Sequence, residues 1–243
     1  MEFRVDFFFR VFMDSIFYAT HLTFFTILYG HIDDLAGWNL DQIYIFIAGF
    51  FLADAIHMTV FANNMWAFPF VINLGDLDYH LVRPVSTLFF LSVREFAANS
   101  VLNIAIAAGI FWWALARYPE PLGTEAVVAY VALVLNGVLI LWMAQLLFLL
   151  PVFWTHSAVG LRQLFFSLER FATRPHQIFG GWLRRVLLTV LPFSLIASYP
   201  ATVLFDGPSW TSVLYAFAVS ASLFAVIQLI WHRALRAYSS ASS

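Results

Sequence analysis

The chain has 243 residues, of which 62% are hydrophobic and only 11% are charged. A soluble domain carries about 25% charged residues, so the composition excludes a chain that lies wholly in water and predicts a membrane protein. Apolar segments fill most of the length, which leaves no room for a second, soluble domain such as an ATPase. The net charge of −2 argues against a nucleic-acid partner, and the absence of cysteine excludes disulfides and cysteine metal sites.

Residues 1–14 have the pattern of an amphipathic helix. Glu2, Asp6, Arg10 and Asp14 recur every four residues, and apolar residues, mainly phenylalanines, fill most of the positions between them. A helix with a narrow polar stripe and a wide apolar face lies in the membrane interface. We therefore predict an interfacial helix over 1–14, a single transmembrane permease-like domain over 15–236 and a disordered cytoplasmic tail over 237–243.

Six apolar segments are predicted to cross the bilayer, for which about 20 residues are needed. The predicted helices cover about 15–32, 40–62, 125–150, 186–205 and 210–231, with the third helix running from Thr87 or Arg94 to Ala116. Pro192 and Pro200 interrupt the fifth. The predicted fold class is an all-α polytopic membrane protein.

Residues 151–185 are the least regular part of the chain. Their charged side chains make a continuous span costly; these are Arg162, Glu169, Arg170, Arg174, Arg184 and Arg185. We predict a cytoplasmic extension of the fourth helix, a turn at Arg174-Pro175 and a short amphipathic approach to the fifth helix.

Arginine is the basis of the predicted orientation, because all twelve basic residues are arginines. The predicted spans place eleven of them on one side of the membrane and only Arg117 on the other. Arginine-rich loops stay in the cytoplasm. The pattern predicts a multi-pass protein of the plasma (inner) membrane with both termini in the cytoplasm.

The segment from Gly75 to Pro84 is the most distinctive polar stretch of the first half. Gly75 permits a sharp turn, Asp76 can cap a helix that begins after it, and Pro84 marks the end of that helix. The pattern predicts a helix of about two turns on the arginine-rich side. The segment either satisfies only its own backbone groups or docks a cytoplasmic partner.

The docking interpretation makes specific statements about side chains. Asp78, Tyr79 and His80 are expected to point outward, and Leu77 and Leu81, four residues apart, are expected to form an apolar edge. Arg83 is expected to hold the loop to Asp76 or to a lipid phosphate.

The order of these features resembles the permease subunits of ABC-2-type exporters, in particular the short permeases that work in pairs beside one ATPase. The residues that carry the resemblance are Gly37-Trp38, Gly75, Leu77, Asp78, Leu81, Arg83, Pro84, Pro175, Ile178-Phe179, Leu191-Pro192-Phe193 and Pro200. The resemblance implies that two permeases, identical or related, pair around a central pathway. It also implies that the loop between the second and third helices docks on an ABC ATPase subunit; the loop residues are Gly75, Asp76, Leu77, Asp78, Tyr79, His80, Leu81, Arg83 and Pro84.

The same resemblance implies a transport subunit that is not itself an enzyme and binds no cofactor. A phosphate-binding loop of the form Gly-x-x-x-x-Gly-Lys-Ser/Thr requires a lysine, and this chain has none. ATP is therefore expected to be bound by a partner subunit.

Polar residues inside the predicted spans are candidates for lining the pathway, because each is costly in lipid and faces the bundle interior or water. They are His21, Asp54, His57, Glu95, Asn99 and Asn103. Asp54 and His57 are one helical turn apart, and the last three repeat every four residues on the third helix. Other interpretations stay open: hydrogen bonds between helices, a proton relay through Asp54 and His57, or a membrane-embedded enzyme or haem or metal protein using Asp54, His57 and Glu95.

Overall fold

The computed structural model describes the backbone of residues 2–238, and the side chains of these residues except 2–7, 10 and 99. This part of the chain is built from α-helices joined by turns and short 3₁₀ segments, as the predicted fold class requires. The helices are α1 Glu2–Tyr29, α2 Leu40–His57, α3 Asn63–Asn73, α4 Asp78–Leu81, α5 Thr87–Val93, α6 Val101–Arg117, α7 Thr124–Leu149, α8 Val152–Thr155, α9 Val159–Glu169, α10 Gly181–Thr189, α11 Ser198–Asp206 and α12 Trp210–Ala237.

Within the described residues, four helical stretches are long and apolar enough to cross a membrane. They are Val11–Tyr29, Leu40–Asn73, Thr124–Thr155 and Trp210–Ala237. They correspond to the predicted first, second, fourth and sixth spans. The predicted third and fifth spans are interrupted helices in the structure, so the count of six stays a prediction.

The bundle has two ends, which differ in their connections. The hairpin end carries the turn Asp33–Trp38, closed by a bridge between Leu35 and Trp38, and the connections that follow α6 and α11. Phe205 joins these connections, because its ring contacts both Trp38 and Tyr118. The loop end carries residues 74–86, residues 150–158 and the last turn of α12.

Helix α2 forms the centre of the bundle, and α1 lies at its edge. The core-facing residues of α2, including Ile43, Phe46 and Phe51, are fully buried, since α2 packs against α1, α6, α7 and α11. In the most apolar part of the Leu40–Asn73 stretch 67% of the residues are buried, whereas in the most apolar part of α1 only 11% are buried. Helix α1 is continuous from the predicted interfacial segment into the predicted first span, and most of its surface is left uncovered by this chain.

The predicted third helix is broken between α5 and α6. Opposite the break, Met58–Ala62 form a π-helical turn between α2 and α3. The backbone groups at the break find partners there: the Asn64 amide donates to the Glu95 carbonyl (2.8 Å) and accepts from the Glu95 N–H (3.0 Å), and the Ala97 N–H donates to the Thr59 carbonyl (2.9 Å).

The predicted extension of the fourth helix over residues 151–185 does not form. The chain reverses at His156, which has a left-handed backbone (φ 54), and α9 runs back along α7, where Phe165 contacts Phe148. Two 3₁₀ turns then lead to α10, and a third joins α10 to α11. Helix α9 tolerates Arg162 because its guanidinium lies at the loop end, 4.1 Å from the Trp66 ring centroid.

The prediction that eleven arginines share one side also needs correction. Arg174 lines a cavity together with Leu35 of the hairpin turn, so it lies at the hairpin end with Arg117 rather than at the loop end. The prediction assumed that the charged segment 151–185 lies outside the bundle on the cytoplasmic side, whereas this segment runs back along the bundle. The predicted tail falls largely on residues 239–243, outside the described residues.

Candidate functional site

The predicted coupling loop forms a tight turn followed by a single helical turn. Gly75 has a positive φ of 81, a conformation that glycine adopts without steric cost. Helix α4 begins at Asp78, with Leu77 at its N-cap position and no side-chain capping bond. The predicted cap at Asp76 and the predicted length of two turns are therefore wrong, because backbone bonds such as Leu77 N–H to Val71 O (3.2 Å) organise the turn instead.

The side chains of α4 divide into an inner and an outer face. Leu77 is fully buried and His80 is also buried, whereas Tyr79 is 72% exposed and Val82 84% exposed. The predictions that His80 points outward and that Leu77 belongs to an exposed edge are wrong, since both side chains hold the turn against the bundle. Tyr79, Leu81 and Val82 are exposed apolar side chains of α4 and the residue after it, and we call these three the loop-end patch.

His80 connects the loop to the break in the third helix. Its Nε2 lies 3.4 Å from a guanidinium nitrogen of Arg94, and Arg94 forms an ion pair of 3.2 Å with Glu95. Arg83 lies over the ring of Phe90 at 4.4 Å rather than forming the expected ion pair with Asp76. Burial, together with the charges of Arg94 and Arg83, lowers the pKa of His80, so the neutral ring is favoured between the two cations.

The loop also contacts the end of α12. Burial and the neighbouring carboxylate of Asp78 raise the pKa of the Tyr238 hydroxyl. The Tyr238 ring packs against Phe153 of α8, and the Asn73 amide donates to the His156 carbonyl (3.0 Å). Side-chain contacts therefore connect α4 with the end of α12, the end of α12 with α8, and His80 with Arg94 at the break.

Two of the candidate pathway residues lie where α1, α2, α6 and α9 approach one another. The Asn103 amide of α6 is buried and donates a hydrogen bond to the Asp14 carboxylate of α1. Asp54 of α2 interacts electrostatically with Asp14 and with Glu169 at the end of α9. Asp54 and Asn103 thus face the interior, as predicted for polar residues in a span.

The remaining candidates are separated from this group. His57 is buried beside Gln145 of α7. Glu95 has an exposed side chain that pairs with Arg94. The predicted stripe of Glu95, Asn99 and Asn103 does not form, because the helix is broken between the first and the last of them; the Asn99 side chain lies outside the described part of the structure.

The structure gives no support to a metal centre. In the described part of the chain, no group of three or more His, Asp or Glu side chains could hold a metal ion. Asp54 and His57 contact different neighbouring helices, and Glu95 lies at the break, so the three residues of the enzyme or haem interpretation do not meet in one cavity.

His21 lies in a cavity that the sequence did not predict. The cavity has a volume of 330 Å³ and lies between α1 and the turns that follow α9. Its polar lining includes His21 and Arg174, and its apolar lining includes Phe24, Leu28 and Ile178.

Sequence reasoning missed two further residues. Asn64 is not among the predicted site residues, although it carries both hydrogen bonds to the backbone of Glu95. Glu169 lies in the segment that is predicted to be cytoplasmic, although it interacts with Asp54. The signal for Asn64 is an amide placed two residues after the predicted end of the second span; Glu169 carries no local signal, since its position depends on the reversal at His156.

One comparison with known proteins gives a match. A family model described as "ABC-2 family transporter protein" matches residues 15–242. None of the curated proteins matches the chain, and no solved structure matches it.

Proposed function

The chain belongs to the ABC-2 family of transporter proteins, and we propose that it is the membrane-spanning permease subunit of an ATP-driven exporter. In this proposal a separate ABC ATPase binds and hydrolyses ATP, and this chain is not itself an enzyme. The chain supplies half of the pathway, and a second copy or a related permease supplies the other half. The loop end faces the cytoplasm of the cell that carries the complex in its plasma membrane.

The observation that carries the proposal is the loop-end patch. Tyr79 and Val82 are large apolar side chains that lie exposed at the loop end of the bundle. Leu77 and His80 hold the same turn firmly to the bundle. A rigid apolar patch with an aromatic anchor is the composition of a protein-docking site, and an ATPase that docks there moves α4 whenever it closes.

The orientation is supported by the arginines that remain at the loop end. Arg83 and Arg94 lie in the loop region, Arg162 lies beside Trp66, and Arg233 and Arg236 lie in the last turns of α12. The hairpin end carries Arg117 and Arg174, together with the acidic hairpin residues. The excess at the loop end favours a cytoplasmic loop end under the positive-inside rule, although it is smaller than the sequence alone predicted.

Pairing of two permeases is supported by the uncovered surface of α1. Its side chains Ile16, Phe24 and Ile27 are exposed. The candidate pathway residues Asp54 and Asn103 lie near this helix, because both interact with Asp14 of α1. A second permease placed against α1 would enclose these polar residues between two chains.

A Tyr79→Ala, Val82→Ser double variant tests the docking role. The tagged chain is purified from the membranes of its native host, and captured subunits that contain a phosphate-binding loop are identified by mass spectrometry and assayed for ATP hydrolysis. Loss of a central aromatic anchor costs about 2 kcal/mol of docking energy, so we expect recovery of the ATPase and of its activity to fall sharply. Insertion and folding of the variant are expected to be unchanged, because both side chains are exposed.

Trp210→Ala is the matched control, since Trp210 is an aromatic residue 82% exposed at the opposite, hairpin end. Asp78 is not used, because its contact with Tyr238 makes it part of the fold. If the double variant retains the ATPase as well as the wild type and Trp210→Ala do, the loop-end patch is not the docking surface. If the wild type captures no ATP-hydrolysing subunit under any nucleotide condition, the permease assignment fails.

A further inference from the structure

Three carboxylates from three helices lie near one another inside the bundle, on Asp14 of α1, Asp54 of α2 and Glu169 of α9. Asp54 interacts electrostatically with both of the others. Asp54 and Glu169 are only partly buried, and neither forms a hydrogen bond or an ion pair with a residue that the structure describes; the described ion pairs belong to Arg94 and Arg117. A carboxylate inside a membrane bundle is costly unless it takes up a proton or pairs with a cation.

Asn103 of α6 provides independent evidence that this group binds a molecule with N–H donors. Its side chain is only 3% exposed, and its amide nitrogen donates to the Asp14 carboxylate. The oxygen of the same amide therefore lies beside the carboxylates, yet this buried atom accepts no hydrogen bond within the described part of the chain. A buried acceptor without a donor is unfavourable. An ammonium group supplies three N–H donors together with a positive charge for Asp54 and Glu169.

The separation of these groups favours an organic cation over a metal ion. Calcium and magnesium bind oxygen ligands at about 2.0–2.6 Å, whereas no three His, Asp or Glu side chains of the described residues approach closely enough to hold a metal ion. An ammonium binds each acceptor through a separate N–H, at about 2.7–2.9 Å from nitrogen to oxygen. Its acceptors therefore lie farther apart than the ligands of a metal ion do.

Aromatic rings lie next to the carboxylates on α1 and α2. Phe51 precedes Asp54 by one helical turn, and the centroid of its ring lies 4.5 Å from that of Tyr18 and 5.9 Å from that of Phe17. Tyr18 in turn interacts electrostatically with Asp54 and Asp14. Aromatic faces attract cations and bury hydrocarbon, so these surroundings suit an ammonium ion that carries an apolar group.

The carboxylates and the rings meet on the inner face of α1. Asp14 and Tyr18, four residues apart, share that face, and His21, one turn further along it, lines the 330 Å³ cavity, which leaves room for an apolar group. Ile16 and Ile27, which a second permease would cover, lie on the opposite face of the helix. Binding of a ligand to the inner face is therefore compatible with the proposed pairing of two permeases.

We propose that Asp54, Glu169 and Asn103 bind the head of an organic ammonium ion and that the rings of Phe51 and Tyr18 contact its apolar part. Identifying this ligand as the transported cargo rests on the proposed function, which then becomes the export of amphipathic amines. The binding itself requires no ATPase.

The charge preference is tested with three probes that share one apolar skeleton, namely phenylbutylammonium, phenylbutanol and phenylbutanoate. Each is titrated at neutral pH against the purified full-length chain in lipid nanodiscs, and empty nanodiscs of the same lipid correct for partition. We expect the ammonium to bind about tenfold more tightly than the alcohol, since hydrogen bonds to charged groups contribute at this level. Equal binding of the two would overturn the proposal, because the carboxyls would then be neutral. Displacement of the ammonium by equimolar sodium chloride would overturn it too, because the site would then hold an inorganic ion.

Variants locate the bound ammonium. Asp54→Asn and Glu169→Gln are each expected to weaken its binding about tenfold. Glu125→Gln makes the same change at an exposed carboxylate of the hairpin end and is the matched control. Arg174→Gln removes a positive charge from the cavity beside His21 and is expected not to weaken the binding. Thermal unfolding shows which variants are folded, and if Asp54→Asn is not, Glu169→Gln and the three probes on the wild type still decide. Tighter binding of phenylbutanoate that depends on Arg174 would overturn the proposal.

The titration is made without ATP, so its result is independent of the capture of an ATPase. A chain that captures the ATPase but does not prefer the ammonium refutes the site and leaves the permease assignment intact. A chain that prefers the ammonium but captures no ATPase refutes the permease assignment and leaves the site intact. Where both hold, phenylbutylammonium is expected to stimulate ATP hydrolysis by the wild-type complex and not by the Asp54→Asn complex; unchanged hydrolysis would show that the bound ammonium is not the cargo.

Discussion

The predicted third and fifth spans are both interrupted, but different contacts hold the two interruptions in place. At the break between α5 and α6, Asn64 and Thr59 on the neighbouring helical stretch bond the backbone groups of Glu95 and Ala97. At the break between α10 and α11, the 3₁₀ turn Phe193–Leu195 packs against α7, and the buried hydroxyl of Ser198 just beyond it accepts the N–H of His176, which precedes α10 (2.8 Å). The turns before α10 face α1 across a cavity.

The difference shows how irregular backbone is accommodated in a membrane bundle. Non-helical backbone at membrane depth needs partners within the protein or a lining of water. At the first break, the backbone groups bond to the π-helical turn and to the side-chain amide of Asn64. This break also adjoins the contact between His80 and Arg94. The second break is held by the packing of its 3₁₀ turn against α7 and by the hydrogen bond between Ser198 and His176.

The largest effect is expected for Asn64→Leu, which removes hydrogen bonds at the break between α5 and α6. The change removes three hydrogen bonds, one to the Val60 carbonyl and two to the backbone of Glu95, and it leaves the partly buried N–H and carbonyl of Glu95 without these partners, at about 1–3 kcal/mol for each group. We expect thermal unfolding in detergent to shift down strongly. Asn73→Leu is the control, since the Asn73 amide makes one bond to the His156 carbonyl at an exposed position; equal shifts for the two variants would show that the first break is not held by Asn64.

A smaller effect is expected for Gly137→Ala, which tests the packing of α7 against Ile196 at the second break. A methyl group on Gly137 would lie 2.5 Å from the Ile196 carbonyl oxygen and 2.9 Å from its Cα, and such overpacking costs about 1–3 kcal/mol. Gly109→Ala in α6 meets no atom within 4 Å and is expected to stabilise the helix by roughly 0.5–1 kcal/mol. Thermal unfolding of both variants measures the difference; shifts in the same direction would mean that the segment at Ile196 does not press on α7.

The smallest effect is expected from pH at His80, beside the first break. The unfolded histidine takes up a proton near pH 6.5, whereas burial, together with the charges of Arg94 and Arg83, lowers the pKa of the folded one. The unfolded state therefore binds more protons, and the stability of the α4 turn is lost as the pH falls below about 6.5. Hydrogen exchange of the α4 amides, corrected for intrinsic rates, is expected to show this loss in the wild type and not in His80→Gln; parallel profiles would contradict it.

The sequence predicted the parts of this fold that depend on composition and periodicity. Long apolar runs gave the all-α class and the helices that contain residues 15–29, 40–62, 125–149 and 210–231. Gly75 and Pro84 marked the turn that follows α3, because backbone restrictions on glycine and proline act locally. The residues of the loop carried the family resemblance that the family model confirms over residues 15–242.

Only the tertiary structure decided which side chains of these elements meet. The reversal at His156 returned Glu169 to Asp54 and carried Arg174 to Leu35, and neither pairing has a signal in the local sequence. His80 is predicted to face outward and Leu77 to form an apolar edge, because so short a segment cannot show which of its faces packs against a distant α5 or α3. Periodicity and turn residues report the backbone of a segment, whereas burial and charge pairing depend on the neighbours that the chain brings from far along its length.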